Sequence, residues 1–152
     1  MTKIRFTNQA DTDALADVAE AAGIFPGTML PEMLGPYLAG EQSGFWLTCE
    51  IDGSPSGFVY TQQEPMADGT WNMLALAVHP SAHRQGQGRA LVHAVEEELR
   101  RRQARLVIVD TSSTGGYAMA RAFYHALGYE AEARIRDYWD TGDHKITFRK
   151  PL

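Results

Sequence analysis

The apolar and polar positions of the chain follow two periods in turn, and each change of period marks an element. Ile4 and Phe6 alternate with Lys3, Arg5 and Thr7, which predicts a first strand with one buried face. Asp11 or Asp13 is placed to cap a helix in which Ala14, Leu15, Val18, Ala19 and Ala22 form one apolar stripe, and Gly23 ends it. From Ile24 to Leu38 three prolines and two glycines leave room only for a short or broken helix near Pro31 to Leu38. Gly44 to Ile51 and Ser56 to Gln63 read as strands joined by the turn Asp52-Gly53-Ser54-Pro55. Met66 to Gly69 then turns the chain into a strand over Thr70 to Val78. Its end, Met73 to Val78, is apolar enough to be covered on both faces, and Pro80 closes it.

From Arg89 the period becomes helical again, with Leu91, Ala94, Val95 and Leu99 on one side. Glu96, Glu97 and Glu98 each stand four residues before Arg100, Arg101 and Arg102, which reads as a solvated helix face. Leu106 to Val109 is a short β-branched run, Asp110 to Gly116 a polar loop, and Ala118 to Leu127 a last helix capped by Gly128. Glu130 to Tyr138 and Lys145 to Arg149 close the chain as a hairpin around Asp140 to Asp143. A strand, a helix and a strand in that order require a right-handed crossover, so Leu106 to Val109 is expected beside Met73 to Val78, parallel or splayed from it. The whole reads as an α/β fold with a mixed sheet, in the order β-α-α-β-β-β-α-β-α-β-β.

With 152 residues, 44% of them hydrophobic, the pattern fits one domain over 1–152. A net charge of -5 argues against nucleic acid, gives no support for an anionic membrane surface, and is compatible with a cationic acceptor. No apolar run reaches membrane-spanning length and the first residues lack a signal peptide's apolar stretch, so a cytoplasmic location is the default expectation. Cys49 is the only cysteine, which excludes an internal disulfide, and its apolar surroundings make it a core residue. His79 and His83 are four apart, but Pro80 denies them a shared helix and no acidic or cysteine partner is near, so no metal is expected.

Candidate chemistry enters between the central strand and its helix. Gly86 and Gly88 would let backbone N–H groups turn together toward an anion at a helix N-terminus, and a phosphate-bearing ligand is the natural occupant. A dinucleotide fingerprint would need glycine at Leu91, and a P-loop would need Gly-Lys-Ser/Thr, which is absent. The run Val78-His79-Pro80 followed by His83-Arg84-Gln85-Gly86-Gln87-Gly88-Arg89 resembles the signature loop of the GNAT superfamily, the acyl-CoA-dependent N-acyltransferases. Two positions depart from it: His83 stands where Arg or Gln is usual, and Gln87 where an aliphatic residue is usual. Tyr117 to Tyr129 resembles a second family segment, with Tyr117 replacing the usual Asn. The order of elements is that of the same family, so the resemblance covers essentially the whole chain.

The resemblance implies an enzyme that transfers an acetyl group from acetyl-CoA to a primary amine by direct attack through a tetrahedral intermediate, without a metal. It places Ala77, Val78, His83 to Arg89, Tyr117, Ala120, Phe123 and Tyr124 around acetyl-CoA, with the Val78 backbone N–H for the oxyanion. It also sets Tyr124 opposite the sulfur as the proton donor. Many relatives carry a glutamate base where this chain has Asn72, which cannot accept a proton, so Asp110, His79 and a water chain stay open as the base. The region of Phe25, Met29 and Met33 commonly lines the acceptor site in that family, and Trp71, Tyr138 and Trp139 are aromatic candidates beside it. Glu32, Glu64, Asp137 or Asp140 would hold a cation. A small-molecule amine is expected as acceptor, and a homodimer through the last hairpin is compatible with the pattern. Two other readings stand beside the enzyme: a non-catalytic CoA-binding sensor of the same fold, and a site for another nucleotide.

Overall fold

A computed structural model describes residues 1–152. The strands are β1 (Thr2–Phe6), β2 (Phe45–Ile51), β3 (Ser54–Gln63), β4 (Thr70–Val78), β5 (Leu106–Ser112), β6 (Glu130–Asp140) and β7 (Asp143–Pro151). The helices are α1 (Thr12–Ala22), α2 (Leu30–Leu38), α3 (Gln87–Arg101) and α4 (Ala118–Ala126). All strands join one sheet in the order β1-β2-β3-β4-β5-β7-β6. Every neighbouring pair is antiparallel except β4 and β5, which run parallel and pair only over Thr70–Asn72 and Leu106–Ile108. No helix is long and apolar enough to cross a membrane.

The sheet is covered on both faces, which is why β2 and β4 are nearly continuous apolar runs. On one face α1 and α2 bury Leu15, Val18, Leu30 and Leu34 against Trp46, Phe58 and Ala77. On the other, α3 buries Leu91, Val95 and Leu99 with Met73, Val107, Val109, Tyr124 and Phe148. Side chains of a strand alternate between these faces. Val107 and Val109 face α3 and α4, so Asp110 and Ser112 project on the α1 and α2 side.

Three local readings are corrected. Asp11 stands at the N-cap position of α1 but makes no capping bond there; the capping is done one turn earlier by Asn8, whose side chain accepts from Ala10 N–H at 3.0 Å while Asp11 accepts from Asn8 N–H at 2.9 Å. Asp11 itself is buried and takes both outer nitrogens of Arg5 at 2.8 Å. That ion pair holds the Asp11 carboxyl below its usual value. Second, Asp110 to Ser112 belongs to β5 rather than to a loop, because β7 starts early enough to pair Ser112 with Lys145. Third, the charged run on α3 is not solvated throughout. Glu96 is buried and accepts from the Tyr129 hydroxyl at 2.8 Å and from Lys150 Nζ at 3.1 Å. Glu98 keeps the expected pair with Arg102 and takes Arg101 as well, and Glu96 keeps its expected arginine, Arg100, at 3.9 Å.

Candidate active site

Beyond Asn72 and Ile108 no backbone ladder joins β4 to β5, and the two strands part. The opening is a cavity of about 510 Å³, within the size range of small-ligand sites. Met73 to Leu76 line it from β4, Val109 to Ser112 from β5, and Tyr117, Ala120 and Tyr124 from the α4 side. Ile24 and Phe25 close the α1 side, with Trp139 and Asp143 from the last hairpin. Gly27 sets the approach of Ile24 and Phe25: a Cβ there would lie 2.6 Å from the Ala16 carbonyl oxygen, so only glycine lets this segment press against α1.

The β4 backbone is a source of donors. A bulge leaves Leu74 without a partner, since Tyr60 pairs with Ala75 and Thr61 with Met73. His79 N–H bonds to the Ser56 carbonyl at 2.8 Å, which fixes the hydrogen-bonding parity along the Gly57–Val78 ladder. Ala75 and Ala77 therefore bond back to β3, and Leu76 and Val78 turn their N–H groups toward the opened side. Of these two, Leu76 lines the cavity with Tyr124.

The phosphate-type loop precedes α3. Gly86 has φ +76° and stands as the N-cap, and Arg84 shares the left-handed conformation at φ +65°. No backbone N–H from Arg84 to Arg89 donates to another protein group, leaving a run of unpaired donors at the positive end of a 15-residue helix. A Cβ at Gly88 would come within 3.3 Å of the Phe123 ring, so this glycine sets how closely α3 and α4 approach. The side chains of the loop divide. Arg84, Gln85 and Arg89 are exposed, and neither arginine forms an ion pair within the chain. His83 Nε2 instead contacts the Val78 carbonyl at 2.9 Å, fixing the turn. Gln87 is turned inward at 2% exposure, where its Oε1 accepts from Ser56 Oγ at 2.7 Å and its Nε2 has no partner. It fills the space of the usual aliphatic residue, and only its backbone faces the loop.

Tyr124 is 6% exposed and packs edge-on against Phe123 and Tyr129, with ring centroids 5.1 and 5.8 Å away. Its hydroxyl has no hydrogen-bond partner in the chain, and burial alone pushes its pKa well above the usual phenol value. Across the cleft, Asp110 accepts from Thr147 Oγ1 at 2.6 Å and from Asn72 Nδ2 at 3.4 Å, and Lys145 Nζ lies 3.8 Å away. The Asn72 amide also donates to Glu64 at 2.8 Å, so it tethers two carboxylates on the α1 and α2 face.

The cavity brings together Tyr124, Asp110, Tyr117, Ala120 and Phe25, and Trp139 with them. Other candidates lie elsewhere. Trp71 is a core residue packed on Phe45 at 5.9 Å, with the Arg102 guanidinium over its ring, because α3 covers that face of β4. Met29 is exposed at the start of α2, and Met33 packs beneath α2 against the second apolar cluster. Tyr138 is half exposed under Lys145 Nζ, and alternation along β6 turns its neighbour Trp139 to the cavity instead. His79 caps the turn Pro80–Ala82, its Nδ1 accepting from Ser81 N–H at 3.1 Å, outside the cavity wall. Leu76, Ser112 and Asp143 were not legible as site residues: Leu76 contributes through its backbone, and the other two fall in stretches that read as turns.

A parallel pair that opens midway, a run of free amides before a helix and a buried tyrosine in the opening define an acyl-CoA-dependent acyltransferase fold. The family model of the acetyltransferase (GNAT) family matches residues 14–129, and the chain belongs to that family, whose members are acetyl-CoA-dependent N-acetyltransferases. No curated protein sequence matches it. Among solved structures it is similar to a GNAT-family protein from Desulfovibrio desulfuricans, at 26% identity and TM-score 0.93, over 99% of both chains. It is similar in fold to yncA from Salmonella typhimurium, solved with its cofactor acetyl-CoA, at 19% identity and TM-score 0.80 over 100% and 94% of the chains. The ribosomal-protein-S18-alanine N-acetyltransferase from Escherichia coli shares the fold at 23% identity and TM-score 0.79, with the same coverage.

Proposed function

We propose that the chain transfers an acetyl group from acetyl-CoA to a primary amine carried by a small molecule. The observation that carries this reading is the pairing of two unlike groups across one cleft: a buried tyrosine whose hydroxyl has no partner in the chain, on the α4 side, and the Asp110 carboxylate on the α1 side. Bound acetyl-CoA supplies an activated acetyl thioester. The chain's own residues supply the rest. The free amides from Arg84 to Arg89 fit a pyrophosphate, with Arg84 and Arg89 adding charge at the rim. Tyr117, Ala120 and Phe123 flank the passage from that loop to the cavity. The Leu76 N–H is held ready for a carbonyl oxygen in the cleft, with the Val78 N–H turned to the same side of β4, and fixed donors of this kind cost no reorganisation during reaction.

Tyr124 keeps its proton throughout the neutral range, the state required of a general acid. Asp110 serves as base. An alkyl ammonium loses its proton only near pH 10.4, and a carboxylate facing the acceptor side is placed to accept or relay it. A small molecule is favoured over a protein chain by the enclosure of the acceptor side between Phe25, Trp139 and the last hairpin. The test is thiol release from acetyl-CoA with a panel of primary amines. Asp110→Asn is expected to lower kcat/KM by about a hundredfold, in the range of one general base. Undiminished turnover in Asp110→Asn would remove that assignment, and peptide N-termini reacting in preference to small amines would overturn the acceptor class.

A further inference from the structure

Three features of the fold stand outside the acetyl-transfer machinery: the buried Glu96, Tyr129 and Lys150 network, the exposed edge strand β6, and the carboxylate of Asp143. The first is satisfied within the fold, and nothing in the structure shows what covers the second. The third lies inside the cavity. Asp143 opens β7 and lines the same cavity as Tyr124, a side chain nine-tenths buried whose hydroxyl has no partner in the chain. The only side chain bonded to Asp143 is Ser112, whose hydroxyl donates to Oδ1 and is itself buried. No lysine, arginine or histidine forms an ion pair with Asp143, whereas Asp110 has Lys145 at 3.8 Å. Trp139 stands on the cavity wall beside it, its indole fixed by donation to the Thr111 carbonyl at 3.2 Å. A carboxylate without a cation next to an anchored aromatic ring is the chemistry that holds an ammonium group.

Spacing makes this more specific. Asp110 and Ser112 are two residues apart on one face of β5, and Asp143 is bonded to Ser112. The two carboxylates are therefore separated by about 7 Å along the strand. With carbon–carbon bonds of about 1.5 Å, an extended chain of about four methylene groups covers that distance. We infer that the acceptor is a dication, an α,ω-diamine or a longer polyamine, with one nitrogen at Asp110 and the second ammonium held by Asp143 and Trp139. This rests on the acetyl-transfer reading of the cleft and adds the substrate class to it.

Two measurements test it separately from that reading. Calorimetric titration of the protein, saturated with CoA, compares butane-1,4-diamine with butylamine. The inference requires the diamine to bind about tenfold more tightly or better, the effect of one charge-assisted hydrogen bond. It also requires Asp143→Asn, which keeps the Ser112 contact and removes the charge, to bring the ratio of the two affinities toward one. The same ratio in kcat/KM is read across diamines of three to eight carbons, with a maximum near four or five. Diamine binding without turnover upholds the dication site and sinks the acetyl-transfer reading. Equal affinity for the monoamine and the diamine in the unaltered protein, or a ratio unmoved by Asp143→Asn, overturns the inference.

Discussion

Replacing Tyr124 with phenylalanine separates chemistry from folding. The ring is held by Phe123, Tyr129 and Phe148, the last with its centroid 5.8 Å away, and all three contacts survive the change. Because the hydroxyl bonds to nothing in the chain, its loss leaves no buried donor or acceptor orphaned. The unfolding midpoint is therefore expected to move by no more than about 2 °C, the response to roughly half a kcal/mol in a domain of this size. Turnover is another matter. A positioned general acid is worth about 10²- to 10⁴-fold, or about 2.7 to 5.5 kcal/mol of barrier. Tyr124→Phe should lose that much in kcat while still binding acetyl-CoA. The assay is continuous thiol detection with a saturating amine, alongside a thermal melt of both proteins. Since burial raises the phenol's pKa, the unaltered enzyme should show no loss of rate from Tyr124 ionisation below about pH 10. A variant retaining more than about a third of the parent kcat would show that the proton comes from elsewhere.

Other outcomes follow from single features of the fold. Gly86→Ala forces a side chain into φ +76° with no compensating contact, at about 1–2 kcal/mol, and should weaken acetyl-CoA binding measured by calorimetry about tenfold. Lys150→Met strips the nearer cation from buried Glu96, leaving only Arg100 at 3.9 Å, and differential scanning calorimetry should show a midpoint lower by about 5 °C or more. The double change Ser56→Ala with Gln87→Leu removes both partners of a buried hydrogen bond and one unpartnered amide. Denaturant titration should find it neutral or stabilising by up to about 1 kcal/mol. The Asp11 carboxyl is depressed chiefly by its bonds from Arg5, so the stability it adds is present above the unfolded value of 3.8 and is lost as pH falls through the lower folded value. Asp11→Asn should accordingly flatten the acid limb of a midpoint-against-pH curve, and an unchanged limb would deny the pair that role.

The order of elements was legible because each apolar period is long and bounded by turn chemistry. Gly23, Gly86 and Gly128 stand at positive φ where such residues were expected to end or begin helices. The cofactor loop was legible for a related reason: its signal lies in residue types that free the backbone, and those are visible in a sequence. The acceptor side was not. Asp110, Ser112 and Asp143 become neighbours only because β7 pairs along β5 beyond Val109, a tertiary choice that overrides the polar, turn-like character of both segments. Trp71 and Trp139 look alike as candidates, yet register and helix packing bury the first and turn the second into the cavity. Glu96 carries the same lesson, for its i+4 arginine predicted a surface pair while Lys150 and Tyr129, distant in sequence, drew it inward.

The central claim is that the opening between β4 and β5, served by the amides before α3, receives acetyl-CoA. The direct measurement is the thermal unfolding midpoint with acetyl-CoA, set against ADP and NAD at equal concentration. A ligand present at a hundred times its Kd adds about 2.7 kcal/mol to the native state, a rise of about 5 to 10 °C for a domain of this size. The account predicts that rise for acetyl-CoA and a much smaller one for ADP or NAD; no rise with acetyl-CoA, or an equal rise with all three, would contradict it.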